Sequence, residues 1–255
     1  MPSKLPTIVL VPGAWTTPIA YHKLVDALKA RLFEVHVPPL PTNNGCRPPN
    51  SSHEADVKAV RDVIVSLIND GKEVSMCMHS YGGVVGTNAV AGLARKDRQA
   101  KNLPGGVVHL FYLASFMLAQ GQTMRSVVEK VGLVGRGSLV KIEDDGTWFP
   151  TEAIWGMYHD LEPEDQDEQV NQLVYNNICC MSSPTTYEAW KYIPTTYVRT
   201  SEDRWNPPQF QDFCQANAKN AGVDVDVVEF KSGHSVYAKY PNELADLVAK
   251  VSNAK

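Results

Sequence analysis

Ser80, Asp203 and His234 have the side-chain types of an acyl-transfer triad, and they follow one another in the order serine, acid, histidine. A serine hydroxyl is a weak nucleophile; it needs an adjacent base, and the base needs a carboxylate to fix its tautomer. Ser80 lies in Val74-Ser75-Met76-Cys77-Met78-His79-Ser80-Tyr81-Gly82-Gly83, where an apolar run ends in a serine followed by glycines. That pattern predicts a tight strand-to-helix turn that lifts the hydroxyl above a sheet, with small neighbours because strand and helix backbones approach closely. Met78 departs from it, since a glycine is expected two residues before the serine. A capping serine at an ordinary strand-to-helix junction is the simpler alternative.

The other two groups each follow an apolar, β-branched run. Tyr197-Val198-Arg199-Thr200 leads into Ser201-Glu202-Asp203-Arg204-Trp205-Asn206-Pro207, and Val227-Val228-Glu229-Phe230 leads into Lys231-Ser232-Gly233-His234. An acid after one strand, or one histidine among seven, is weak evidence alone. The three matches together, in the required order, carry the assignment. Glu202 competes with Asp203 for the acid, and His79 reads as a packed or hydrogen-bonded neighbour of the nucleophile. The oxyanion of acyl transfer requires preorganised N–H donors, one being worth about 3–4 kcal/mol. The backbone of Tyr81, directly after the nucleophile, and that of Ala14, in Pro12-Gly13-Ala14-Trp15, are the expected donors.

The elements that must position these groups alternate. The run Thr7–Val11, apolar on both faces, reads as a central parallel strand. Helical spacing follows over 19–31, then a strand over 34–40 interrupted by prolines, and a Pro/Asn-rich loop over 42–52. A helix capped by Ser52 and stopped by Gly71, a strand at 73–78, a small-residue helix at 83–95 and a strand at 107–114 continue the pattern. It resumes with a strand at 195–200, a helix at 208–221, a strand at 225–230 and a helix at 243–251. Such alternation predicts an α/β fold with a mostly parallel sheet and helices on both faces. Between them, 117–192 has helical stretches and no clean strand, which predicts a helical cap inserted into one core formed by 1–116 and 193–255.

Composition narrows the partners. Hydrophobic residues are 44% and charged residues 20% of the 255, ordinary globular values, and the formal charge is −4. A mildly acidic surface does not attract phosphate backbones or anionic lipid, so neither nucleic acid nor membrane is expected. The five cysteines show no metal-ligand spacing, no stretch has the length of a membrane span, and the opening apolar run is too short for a signal segment, so none is expected. A reduced, cytoplasmic protein with a small-molecule substrate and neither cofactor nor metal is the expectation, with a homodimer left open.

On these residues the sequence resembles the α/β-hydrolase superfamily, and within it the branch of plant methyl-ester esterases, hydroxynitrile lyases and small microbial esterase-like proteins. The resemblance spans nearly the whole chain. It is carried by Val9-Leu10-Val11-Pro12-Gly13-Ala14-Trp15, His79-Ser80-Tyr81-Gly82-Gly83, the run from Ala189-Trp190 to Tyr197-Val198, Thr200-Ser201-Glu202-Asp203 and Gly233-His234. It implies the same triad, and Ala14 and Tyr81 as oxyanion donors. Family members usually carry His-Gly where this chain has Pro12-Gly13. The lyases' extra threonine and lysine correspond to Gly13 and Ser235, which favours hydrolysis of an ester or lactone. Trp15, Trp148, Trp155, Tyr158 and Trp190 are expected to line an aromatic pocket suited to a flat apolar substrate. A carbon–carbon lyase using the same pocket, and a ligand receptor that binds without turnover, are the alternatives.

Overall fold

The computed structural model describes residues 5–133 and 139–253. β1 (Thr7–Val11) is wholly buried and leads through a 3₁₀ turn (Pro18–Tyr21) into α1 (His22–Ala30). β2 (Val35–His36), α2 (His53–Asn69), β3 (Glu73–His79), α3 (Gly82–Ala89), α4 (Arg95–Gln99) and β4 (Gly106–Leu113) follow. The insertion then contributes α5 (Met124–Lys130), β5 (Val140–Ile142), β6 (Thr147–Pro150), α6 (Pro163–Asn171) and β7 (Asn176–Asn177). β8 (Thr195–Thr200), α7 (Pro208–Asn220), β9 (Asp226–Phe230), α8 (Val236–Lys239) and α9 (Pro241–Asn253) complete the chain.

Six strands form one parallel sheet in the order β2-β1-β3-β4-β8-β9. The order locates the site. From β1 the chain moves outward to β2, then returns across β1 to β3. With right-handed crossovers, that reversal puts α1 and α2 on opposite faces. The loops leaving β1 and β3 therefore diverge at their C-terminal ends, opening the crevice where open α/β sheets bind ligands. The helices pack accordingly, α1 against α9 and α2 against α3. β3 and β4 are almost entirely buried, as strands covered on both faces must be.

Three expectations change. The strand over 34–40 pairs only at Val35–His36, because Pro38, Pro39 and Pro41 cannot donate to a ladder. The helix over 83–95 ends at Ala89, and Gly92 at φ 72° turns the chain before α4. The insertion is not purely helical: besides α5 and α6 it holds an antiparallel sheet, β5-β6-β7. Strands of three, four and two residues, the last being Asn-Asn, are too short to leave a period-two pattern.

Candidate active site

Ser80 leaves β3 with φ at 51°, a left-handed conformation costing a residue with a Cβ about 1–2 kcal/mol. Its carbonyl anchors the turn, accepting from the Ser115 hydroxyl at 2.7 Å and from Gly83 N–H at 3.0 Å. A Cβ at Gly82 would collide with the Val11 carbonyl oxygen, and one at Gly83 with Ser115 Oγ. Met78 fits because the space it needs lies on α3, where a Cβ at Gly86 would run into Met78 Sδ.

Asp203 and His234 meet beside this elbow. His234 Nδ1–H donates to Asp203 Oδ2 at 2.9 Å, and both side chains are buried. Oδ2 also accepts from the Thr200 hydroxyl at 3.0 Å, while Oδ1 accepts from Trp205 and Asn206 N–H, both at 2.8 Å. Gln211, buried on α7, fixes that loop by bonding the N–H and C=O of Thr200 and the carbonyl of Asn206. Glu202 does not face His234: its side chain is 45% exposed and pairs with Lys231. Among the described residues no hydrogen bond links Ser80 to His234, and such contacts often tighten only with substrate bound.

His79 joins the parts. A carbonyl only accepts, so its Nε2 must carry the proton donated to the His234 carbonyl at 3.1 Å. Its Nδ1 then accepts from the Tyr21 hydroxyl at 2.9 Å, and the Tyr21 oxygen accepts from Gly13 N–H at 2.8 Å. Burial pushes the His79 imidazole well below its usual pKa, with the His234 charge acting in the same direction. Neutral His79 thus ties the loop after β1 to the backbone of His234.

Asn43 completes that loop. Its Nδ2 donates to the carbonyls of Gly13 and Thr16, both at 2.8 Å, and its Oδ1 accepts from Trp15 N–H at 3.1 Å. Trp15 is held at φ 62°. Neither Ala14 N–H nor Tyr81 N–H has a protein acceptor among the described residues. Both residues line, with Ser80, a cavity of about 330 Å³.

Trp15 and Trp148 line the cavity as expected, their ring centroids 4.2 Å apart. Trp155, Tyr158 and Trp190 do not. Trp190 is buried and donates its indole N–H to the Leu118 carbonyl, and Tyr158 is packed into the core. Trp155 is 45% exposed and borders a separate surface groove with Phe149 and Leu173. The walls include Phe116, Met124, Met181 and Trp205, which sequence reasoning passed over. Trp205 alone carried a signal, standing two residues after Asp203.

A model described as the alpha/beta hydrolase family matches residues 8–247. The chain belongs to that family. Among its relatives, the alpha/beta hydrolase nvfD of Aspergillus novofumigatus is 28% identical, covering 96% of this chain and 94% of its own. The carbendazim hydrolyzing esterase of Nocardioides sp. is 25% identical over 94% of this chain and 97% of its own. The methylesterase MES16 from Arabidopsis superposes with a TM-score of 0.72 at 18% identity, over 98% of this chain and 100% of the other. This alpha/beta hydrolase therefore shares the fold of the plant branch that its motifs resemble.

Proposed function

We propose that this alpha/beta hydrolase is a serine hydrolase that cleaves a carboxylic ester or lactone of a small, apolar or aromatic molecule through an acyl-enzyme. One observation carries the reading: the strained elbow presents Ser80 to a cavity also lined by Ala14 and Tyr81, whose amides have no protein acceptor among the described residues. Ser80 Oγ attacks the carbonyl carbon while His234 Nε2 takes its proton, and Asp203 stabilises the imidazolium that forms. The Ala14 and Tyr81 amides receive the oxyanion. Protonation of the leaving alcohol by His234 gives the acyl-enzyme, which a water activated by the same histidine hydrolyses.

The cavity supports the substrate class. Its volume is near the small end for ligand sites, and aromatic and aliphatic side chains supply most of its walls. The related esterase of Nocardioides and the methylesterase of Arabidopsis are described as ester-cleaving proteins, which agrees with this reading.

The test is a fluorophosphonate probe read by intact mass and peptide map, with Ser80→Ala as control. One equivalent of probe on Ser80, absent from the variant, is the expected result. A folded wild-type protein that takes no label, or takes it elsewhere, would overturn the proposal.

A further inference from the structure

We propose that Asp160, a carboxylate of the insertion, is a positioning residue that holds the loop carrying the catalytic base. The inference rests on the reading of His234 as that base.

Asp160 Oδ2 accepts from Gly233 N–H at 2.7 Å and from the Ser232 hydroxyl at 3.3 Å. Gly233 is the residue immediately before His234, so this bond fixes the peptide from which the imidazole projects. His79 fixes the other side, through the His234 carbonyl. The contact is close enough to dictate the residue at 233: a Cβ there would lie 2.6 Å from Asp160 Oδ1 and 2.8 Å from His159 Cε1. On α8, Lys239 Nζ donates to the Asp160 backbone carbonyl, so the main chain that carries the carboxylate is tied to the core as well.

The same stretch of the insertion also rests on the acid loop. The π-helical turn Ile154–Tyr158 lies against Trp205, where a Cβ at Gly156 would come within 2.5 Å of Trp205 Cε3. Trp205 donates its N–H to Asp203. One short segment thus touches the loop of the acid through Gly156 and the loop of the base through Asp160. Asp160 Oδ1 is buried and has no hydrogen-bond partner among the described residues. An acceptor left unsatisfied in this way is disfavoured by its desolvation and calls for a local explanation. The Gly233 amide and the Ser232 hydroxyl both bond the other oxygen, Oδ2, so the carboxylate sits where the loop needs it with Oδ1 left unsatisfied.

The test compares the fluorophosphonate labelling rate, and kcat and KM on p-nitrophenyl acetate, for wild type, Asp160→Ala and Asp160→Asn, with thermal melts confirming the fold. A displaced base costs between about 10- and 100-fold in rate, so Asp160→Ala is expected to lose that much in labelling and kcat, with KM nearly unmoved. Asp160→Asn retains an acceptor for Gly233 N–H and is expected to recover to within about threefold. If Asp160→Ala does not fold, Gly233→Ala, which pushes the carboxylate off the loop, must show a kcat loss of that size with KM nearly unmoved, and a folded Gly233→Ala with wild-type kcat overturns the inference. A folded Asp160→Ala that labels at the wild-type rate overturns the inference and leaves the serine reading standing. Equal losses in Asp160→Asn and Asp160→Ala also overturn it. A wild type that does not label removes both.

Discussion

Four donors converge on Asp203, and two of them are backbone amides of its own loop. A short loop that bonds its own carboxylate gives the acid one orientation, so the imidazole beside it has one as well. Reactivity at the residue scale is not confined to this pair. Cys179 is exposed, and the neighbouring Cys180 thiol, helped by the His53 N–H at the start of α2, holds its pKa at about 7. Cys77 and Cys214 are pushed up to about 12 by burial. The thiolate is the reacting form, so iodoacetamide should alkylate Cys179 well before Cys77 or Cys214, at a rate that climbs as pH rises through 7. A peptide map across pH 6–8 showing no such climb would contradict that assignment. None of this was readable in advance. Ser80, Asp203 and His234 could be picked out as candidates because the fold fixes their chain order, whereas the Cys179 shift depends on how the chain turns the adjacent Cys180 thiol toward it and brings up an amide more than a hundred residues away.

At the scale of elements, the seam between β3 and α3 shows why the motif around Ser80 was imperfect yet sufficient. The space expected from a glycine at 78 is supplied by Gly86, one helix turn past the elbow, and Met78 fills it. Overpacking predicts that Gly86→Ala costs about 1–3 kcal/mol, and cavity formation that Met78→Ala costs about 2–5. Because the two side chains compete for one volume, the double variant should lose measurably less stability than the sum of the single losses in chemical denaturation. Strict additivity would show that the two positions do not share space. The short strands of the insertion were illegible for a related reason. β7 is an Asn-Asn pair chosen for hydrogen bonding, Asn176 donating to Asn43 and Thr42, and it has no apolar period to detect. The aromatic lining was half legible: composition pointed to tryptophans, but not to which of them would face the cavity.

Over the whole molecule, the insertion is bound to the core on several sides. Gln169 donates to the Ala20 carbonyl and accepts from the Tyr237 hydroxyl, and Lys23 pairs with Asp165. Two buried histidines set the acid limit of this assembly. Burial lowers the pKa of both His79 and His53, the former more strongly. The unfolded chain takes up protons near pH 6.5 that the folded chain refuses, so stability is full above that pH and falls as pH drops below it. Each fully excluded histidine contributes a slope of up to about 1.4 kcal/mol per pH unit. Denaturation midpoints at pH 7.5 and 5.5 should differ accordingly, and His79→Gln should flatten the difference; an unchanged slope in the variant would refute the account.

The five tryptophans are not spread evenly over this structure. Trp15, Trp148 and Trp205 converge on the cavity, with Trp15 and Trp205 edge to face at 5.4 Å, while Trp155 and Trp190 stand apart. Rings this close exchange excitation energy, so a molecule entering the cavity alters the emission of three coupled fluorophores at once. The protein thereby carries its own optical gauge of occupancy, and compounds can be ranked by the dimming or colour shift of its intrinsic light before any reaction they undergo has been identified.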